Sequence, residues 1–187
     1  MFILLLGAPG SGKGTQGKLL AERLGLPKIT TGDLLRAAIK NGTPLGIEAK
    51  KYYDKGELVP DSVVLGLIKE ELVKPEAKDG AILDGFPRTL RQGELVDKTL
   101  AERSQRLNHI LLLDVDEDES VRRMSARSSQ EGRSDDTPEA IKTRLDVYRR
   151  DTAPLIAHYS QRGIVQRVPG GGTVEEIAEG IKRIIGR

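Results

Sequence analysis

Apolar residues along this chain gather in short unbroken runs, and the stretches between the runs carry them at helical spacing. Residues 2–6, Phe-Ile-Leu-Leu-Leu, stop at Gly7 and read as a strand covered on both faces. Runs at 81–83, 110–115 and 164–168 read the same way, while positions such as Leu19, Leu20, Arg23 and Leu24 follow the period of a helix. Strands alternating with helices predict a parallel sheet joined by right-handed crossovers. Two stretches break the alternation. Residues 31–73 read as three helices with no strand between them, interrupted at Asn41-Gly42-Thr43-Pro44 and at Lys55-Gly56-Glu57-Leu58-Val59-Pro60. They predict a helical insertion on one side of the sheet. Residues 128–137 are polar throughout and predict a short mobile loop between a helix ending near Arg127 and one beginning at Pro138.

The length of 187 residues suits a single α/β domain, with enough chain to bury a core unaided. Charge narrows the chemistry. Lys and Arg number 30 against 28 Asp and Glu, a net charge of +2 that speaks against a general nucleic-acid coat. Two phenylalanines, four tyrosines and no tryptophan leave little for a base-stacking platform. Cysteine is absent, which excludes disulfides, Cys-ligated zinc, iron–sulfur clusters and thiol catalysis. No apolar run approaches the roughly 20 residues of a membrane span, and no basic lead-in precedes the first run. No membrane association is expected, and a cytoplasmic protein is.

The segment Gly7-Ala8-Pro9-Gly10-Ser11-Gly12-Lys13-Gly14-Thr15 follows the first strand and opens a helix. Successive backbone N–H groups in such a loop, with the positive end of the helix dipole, form a concave anion site, and Lys13 adds a point charge for the outer phosphates. Against the P-loop pattern GxxxxGK[ST], the spacing from Gly7 through Gly12-Lys13 matches, but Gly14 occupies the Ser/Thr position and Thr15 comes one later.

That variant, Gly-x-Pro-Gly-x-Gly-Lys-Gly-Thr, resembles the phosphate loop of the adenylate kinase family, in which Gly does follow the Lys. Three further segments agree in order and spacing. Thr30-Thr31-Gly32-Asp33-Leu34-Leu35-Arg36 resembles the family's monophosphate-site motif, Asp84-Gly85-Phe86-Pro87-Arg88 its most characteristic block, and Thr89-Leu90-Arg91-Gln92 the adenine-reading continuation. The resemblance covers essentially the whole chain. It implies a P-loop nucleoside triphosphate hydrolase-like three-layer fold with a five-stranded parallel sheet. Residues 1–187 would form one domain carrying a monophosphate-binding insertion at about 30–59 and a short lid at about 126–136. Many relatives carry a longer lid, some with a four-cysteine zinc site; this chain looks like the short-lid form, without zinc.

The implied reaction is reversible transfer of the terminal phosphoryl group of Mg-ATP to AMP, giving two ADP, by a monomer. By the same resemblance Gly10, Ser11, Gly12, Lys13, Gly14, Thr15, Arg127 and Gly172 would hold ATP. Thr31, Arg36, Glu57, Leu58, Val59, Gly85, Phe86, Pro87, Arg88, Gln92, Arg133 and Arg144 would hold AMP. Lys13, Arg88, Arg123, Arg133 and Arg144 would carry most of the charge stabilisation. Asp135 and Asp136 resemble positions that organise the lid arginines, with a solvated loop as the alternative reading.

The residues support this chemistry on their own terms. An acceptor hydroxyl would need a base, yet the two histidines, His109 and His158, lie near no motif and read as a strand-edge and a helix-surface residue. A nucleoside monophosphate needs none, because its phosphate has a second pKa of about 6 and is already ionised. What remains is alignment and positive charge, which arginine forks supply. Arg123 and Arg127 are four apart on a predicted helix and share a face; Arg122, Arg149 and Arg150 read equally well as solvated surface. Asp84, ending a buried strand at the carboxyl edge of the sheet, suits Mg2+ held through water. Asp33 is a second candidate and reads also as a helix N-cap. The Gln92 amide offers a donor and an acceptor side by side, complementary to adenine. The rivals are a UMP or CMP kinase of the same fold, a P-loop regulatory ATPase without a small-molecule acceptor, and a catalytically silent interaction module.

Overall fold

The computed structural model describes residues 1–131 and 134–186. In chain order the elements are β1 (Phe2–Leu6), α1 (Lys13–Leu24), β2 (Lys28–Thr30), α2 (Thr31–Lys40), α3 (Pro44–Tyr53), α4 (Asp61–Val73), β3 (Ala81–Asp84) and α5 (Leu90–Ala101). There follow β4 (Leu107–Asp114), α6 (Glu117–Glu131), α7 (Pro138–Val147), α8 (Pro154–Ser160), β5 (Val165–Pro169) and α9 (Val174–Ile185). Short 3-10 turns at Pro75–Ala77 and Ser134–Asp136 and a π turn at Tyr148–Thr152 complete the connections.

The five strands run parallel in the order β2-β3-β1-β4-β5. Alternation along each strand sends successive side chains to opposite faces, which explains the unbroken apolar runs. Phe2, Leu4 and Leu6 pack with Leu83, Ile110 and Leu112 into the core under α4, α5 and α8, where Ile68, Leu100 and Tyr159 close it. Ile3 and Leu5 face the other way, with Ile82, Leu111 and Leu113, against Leu20 of α1 and Ile177 and Ile181 of α9. A small third cluster, Met124 with Ile141 and Leu145, joins α6 to α7.

Strand β2 is the element the hydrophobic pattern did not mark: three residues, Lys-Ile-Thr, of which only Ile29 is buried. The three helices expected over 31–73 are present as α2, α3 and α4. The mobile loop expected over 128–137 is corrected in part, because α6 continues through Glu131 and Ser134–Asp136 forms a 3-10 turn. Polarity at Ser129 and Gln130 reflects solvent-facing helix, whereas Asp135 and Asp136 are buried. Thr137 caps α7, its Oγ1 accepting from the Ala140 N–H at 3.2 Å with Pro138 as the first helical residue.

The chain leaves β1 for β2 and β3 on one side and places β4 and β5 on the other. The carboxyl end of β1 is therefore the switch point where open parallel sheets bind ligands. A cleft of about 860 Å³ opens there.

Candidate active site

The loop between β1 and α1 is shaped by glycines that cannot be replaced in place. Gly7, Gly10 and Gly12 have φ of 142°, 81° and 93°. A Cβ on Gly10 would stand 2.5 Å from the Ser120 carbonyl oxygen of α6. Gly12 begins α1 with no side-chain cap, so the first-turn N–H groups are left to the cleft. Lys13 folds back over the loop, its Nζ donating to the carbonyl oxygens of Gly7 and Ala8 at 2.8 Å each and to Ser11 Oγ at 3.3 Å. Burial pulls its pKa from 10.5 down to about 8; Asp84 opposes the shift, and Arg88, Arg144 and Arg127 add to it. Ser11 is fully buried beneath the loop, whereas Gly14 and Thr15 are exposed at the start of α1.

Beside the loop, β3 ends in Asp84, in register with Leu5 of β1, and the following turn presents Gly85, Pro87 and Arg88 to the cleft. Arg88 Nε donates to the Gly85 carbonyl at 2.8 Å, while its backbone carbonyl accepts from Thr152 Oγ1 at 2.9 Å. No carboxylate pairs with Arg88 among the described residues, and burial followed by the neighbouring Arg144 lowers its pKa. Asp84 and Asp135 oppose that shift from a distance, and a half-buried guanidinium facing a cleft with no carboxylate bonded to it is a site for an anion. Phe86, by contrast, is buried in the core.

The other arginines that line the cleft are held by carboxylates. Arg127 of α6 forks onto Asp136, with Nε and an Nη at 2.7 and 2.8 Å. Arg144 of α7 reaches Asp135 Oδ2 at 2.9 Å and Asp136 Oδ1 at 2.6 Å, and burial lowers its pKa against the pull of both. Asp135 and Asp136 are 5% and 2% exposed, so the solvated-loop alternative for them is set aside. Arg123 donates to Glu119 at 2.6 Å and to the Gly170 carbonyl at 2.9 Å. The loop after β5 thus touches Arg123 through the Gly170 carbonyl, and Val174 at the start of α9 lines the cleft; Gly172 is exposed beside Glu176 and does not line it. Arg133 lies outside the described residues. Arg122, Arg149 and Arg150 pair with surface carboxylates, the first with Glu119, the second with Glu117 and Asp146, the third with Asp151.

On the insertion side Arg36 lines the cleft, held by Asp33 and by the Tyr53 hydroxyl, which accepts from it at 2.6 Å. Asp33 is the third residue of α2 and does not cap it; Thr30 stands at the N-cap position. Thr31 donates to the Gly85 carbonyl at 2.7 Å and is 5% exposed. Gln92 is 3% exposed, and its amide is engaged at both ends, by the Arg88 backbone N–H and by Asp61. Thr31 and Gln92 therefore sit behind the cleft wall. Glu57 is exposed and Val59 is buried in the core, with Gly56 of the same turn reaching the wall. His109 lies on β4, an interior strand and not an edge; His158, on α8, stacks edge-on against Tyr159.

Several wall or support residues escaped the sequence reading. Lys28 Nζ lies 3.6 Å from Asp84 Oδ2 and donates to the Gly14 carbonyl at 3.2 Å. Tyr53, Glu119 and Thr152 each hold a residue that lines the cleft, and Asp61 holds Gln92 behind its wall. Their signal was only position, next to or one helical turn from a recognised motif. Among the described residues no three or more His, Asp or Glu side chains cluster as metal ligands. Asp84 alone suits an ion that keeps most of its waters and takes one or two carboxylates plus phosphate oxygens.

A phosphate loop at the switch point of a parallel sheet, with guanidinium groups converging on it from two further directions, is the arrangement of a P-loop phosphotransferase. A family model described as adenylate kinase matches residues 5–164. An adenylate kinase of Corynebacterium aurimucosum is 50% identical over 187 residues, covering 100% of both chains. One from Leptospira biflexa is 48% identical over 183 residues, covering 98% of each. One from Thermodesulfovibrio yellowstonii is 47% identical over 212 residues, covering 99% of each, and so contains residues this chain lacks. The chain belongs to the adenylate kinase family, and with it to the nucleoside monophosphate kinases.

Proposed function

We propose that the enzyme transfers the terminal phosphoryl group of ATP to AMP, reversibly, giving two ADP. The observation that carries this reading is the pair of cations without bonded carboxylates among the described residues, Lys13 and Arg88, which line one cleft. Lys13 with the loop 7–15 suits the triphosphate. Arg88 with Arg36 suits a monophosphate on the other side. An oxygen of the AMP phosphate attacks the terminal phosphorus of ATP, the bond to the bridging oxygen breaks, and ADP leaves. The attacking oxygen is ionised near neutral pH, so the step needs no protein base. Arg123, Arg127 and Arg144 approach from α6 and α7, and Arg133 belongs with them in this reading; together they neutralise charge on the transferring group.

Asp84 is the residue that would hold Mg2+, through water, with Asp33 a second candidate; when bound, the ion shields the phosphate oxygens and draws charge from the bridging oxygen. Lys28 occupies the same neighbourhood in the free enzyme and partly balances Asp84. We read residues 30–59 as the insertion that receives AMP and residues 126–136 as a short lid built from the end of α6 and the turn after it. Closure of the two over the nucleotides would keep water from the phosphoryl group. Thr31, the 57–59 turn and Gln92 read the acceptor base once the cleft wall at Gly85 and Pro87 yields to it. Gly172 would border the donor base. We read the enzyme as a monomer, and the same reading places it in the cytoplasm.

The test is a coupled assay with Mg-ATP and AMP, UMP or CMP as acceptor. AMP is expected to give ADP at the highest kcat/KM. Preference for a pyrimidine would move the assignment to the UMP/CMP branch, and ATP hydrolysis independent of any monophosphate would favour a regulatory ATPase.

A further inference from the structure

The Gln92 amide is held in an order that its neighbours dictate. Its Oε1 accepts from the Arg88 backbone N–H at 2.7 Å, and its Nε2 donates to Asp61 Oδ1 at 2.6 Å. A backbone N–H can only donate and an ionised carboxylate can only accept. Turning the amide over would set N–H against N–H and oxygen against oxygen, at a residue 3% exposed where water cannot soften the mismatch. One N–H and one lone pair of the amide stay unspent. Asp61 opens α4, two residues beyond the 57–59 turn, and Gln92 lies in the first turn of α5. The bond between them ties the start of α4 to α5 and, through Gln92, to the turn after β3.

We infer that Asp61 is the positioning residue that makes the acceptor site select a 6-aminopurine monophosphate over a 6-oxopurine one. The inference rests on the reading above that Gln92 meets the acceptor base. Adenine presents N1, an acceptor, beside the N6 amino donor. The amide as held meets this edge with Nε2 toward N1 and Oε1 toward N6. Hypoxanthine and guanine present the reverse, an N1–H donor beside the O6 acceptor, and match only the overturned amide. Asp61 and the Arg88 N–H both resist that overturn; the second is backbone, so Asp61 is the part that side-chain chemistry can change. Amide order alone does not separate adenine from cytosine, whose edge runs the same way, so the readout is a purine pair of equal size.

The experiment compares kcat/KM for AMP and for IMP, with Mg-ATP as donor, in the wild-type enzyme, Asp61→Ala and Asp61→Asn. Asp61→Ala is expected to raise the IMP-to-AMP ratio about tenfold, the effect of losing one charge-assisted hydrogen bond. The change should fall mainly in the acceptor KM, with the KM for ATP unmoved. Asp61→Asn still offers an oxygen to Nε2 and should keep the greater part of the preference for AMP. Should Asp61→Ala turn over too slowly, calorimetric affinities for AMP and IMP supply the same ratio. An unchanged ratio, with both purines weakened alike, overturns the inference and leaves Asp61 a helix-terminal residue, while wild-type AMP turnover shows the parent reading intact. Wild-type enzyme that does not phosphorylate AMP overturns both.

Discussion

Arg88 and Lys13 show what the cleft asks of single residues. Arg88 is half-buried beside Arg144, with Asp84 and Asp135 near but no carboxylate bonded to it among the described residues, so its burial weighs against the stability of the free protein. Arg88→Met should leave Tm equal or higher while lowering kcat/KM for AMP about a thousandfold, roughly 4 kcal/mol of transition-state stabilisation. Wild-type turnover in that variant would contradict the role given to it. Lys13 makes a pH-dependent statement. Its pKa is lowered from 10.5 to about 8, so between those values the unfolded chain binds the proton that the folded chain has lost. From this group the free enzyme gains stability as pH rises through that window, and the burial penalty is fully present below it. Bound triphosphate reverses the preference by favouring the charged amine. ATP affinity should therefore decline above pH 8, approaching tenfold per pH unit, with proton uptake on binding near pH 8.5. Calorimetry in two buffers of different ionisation enthalpy reads that uptake directly, and equal heats would contradict it.

At the scale of elements, glycines mark where one piece of chain runs against another. Gly10, with φ of 81° and Ser120 2.5 Å from any added Cβ, presses the phosphate loop onto α6. Gly56, with φ of 74°, presses the 55–60 turn onto the Ala140 carbonyl of α7 at the same distance. Gly10→Ala is expected to destabilise by about 3 kcal/mol in urea unfolding. Gly66→Ala, inside α4 with nothing near the added carbon, should stabilise by about 0.5–1 kcal/mol. Equal effects of the two would refute the contact at Ser120. The same elements show what sequence carries. Phe2–Leu6 was legible because a central parallel strand is apolar at every position. Lys28–Thr30 was not, being an edge strand with one buried residue in three. The end of α6 read as loop because polar residues on an exposed helix look like polar residues in a loop. In the site, motif residues were legible where backbone geometry demands them, as at Gly10, Gly12 and Lys13. Tyr53, Asp61 and Thr152 were not, since each acts through a partner brought close only by folding. Gln92 was legible as an amide, but its burial and its two partners were not.

Over the whole molecule a net charge of +2 conceals strong sorting. Of 17 arginines 15 lie at or after Arg88, whereas 10 of 13 lysines precede it. Folding returns a selected few of these cations to one cleft, Lys13, Lys18, Lys28 and Arg36 from the early chain, Arg88, Arg123, Arg127 and Arg144 from the late. Distributed charge would bind polyanions anywhere; this arrangement suits two phosphate chains meeting end to end. It follows that affinities for the two nucleotides should combine when they are linked, because the second binding event becomes intramolecular. The most direct measurement is calorimetric titration with two adenosines joined through five phosphates, beside ATP and AMP alone. One molecule per chain, bound at least about a hundredfold more tightly than ATP, is the result two adjacent sites require. Affinity no greater than that of ATP would mean that the cleft holds a single nucleotide.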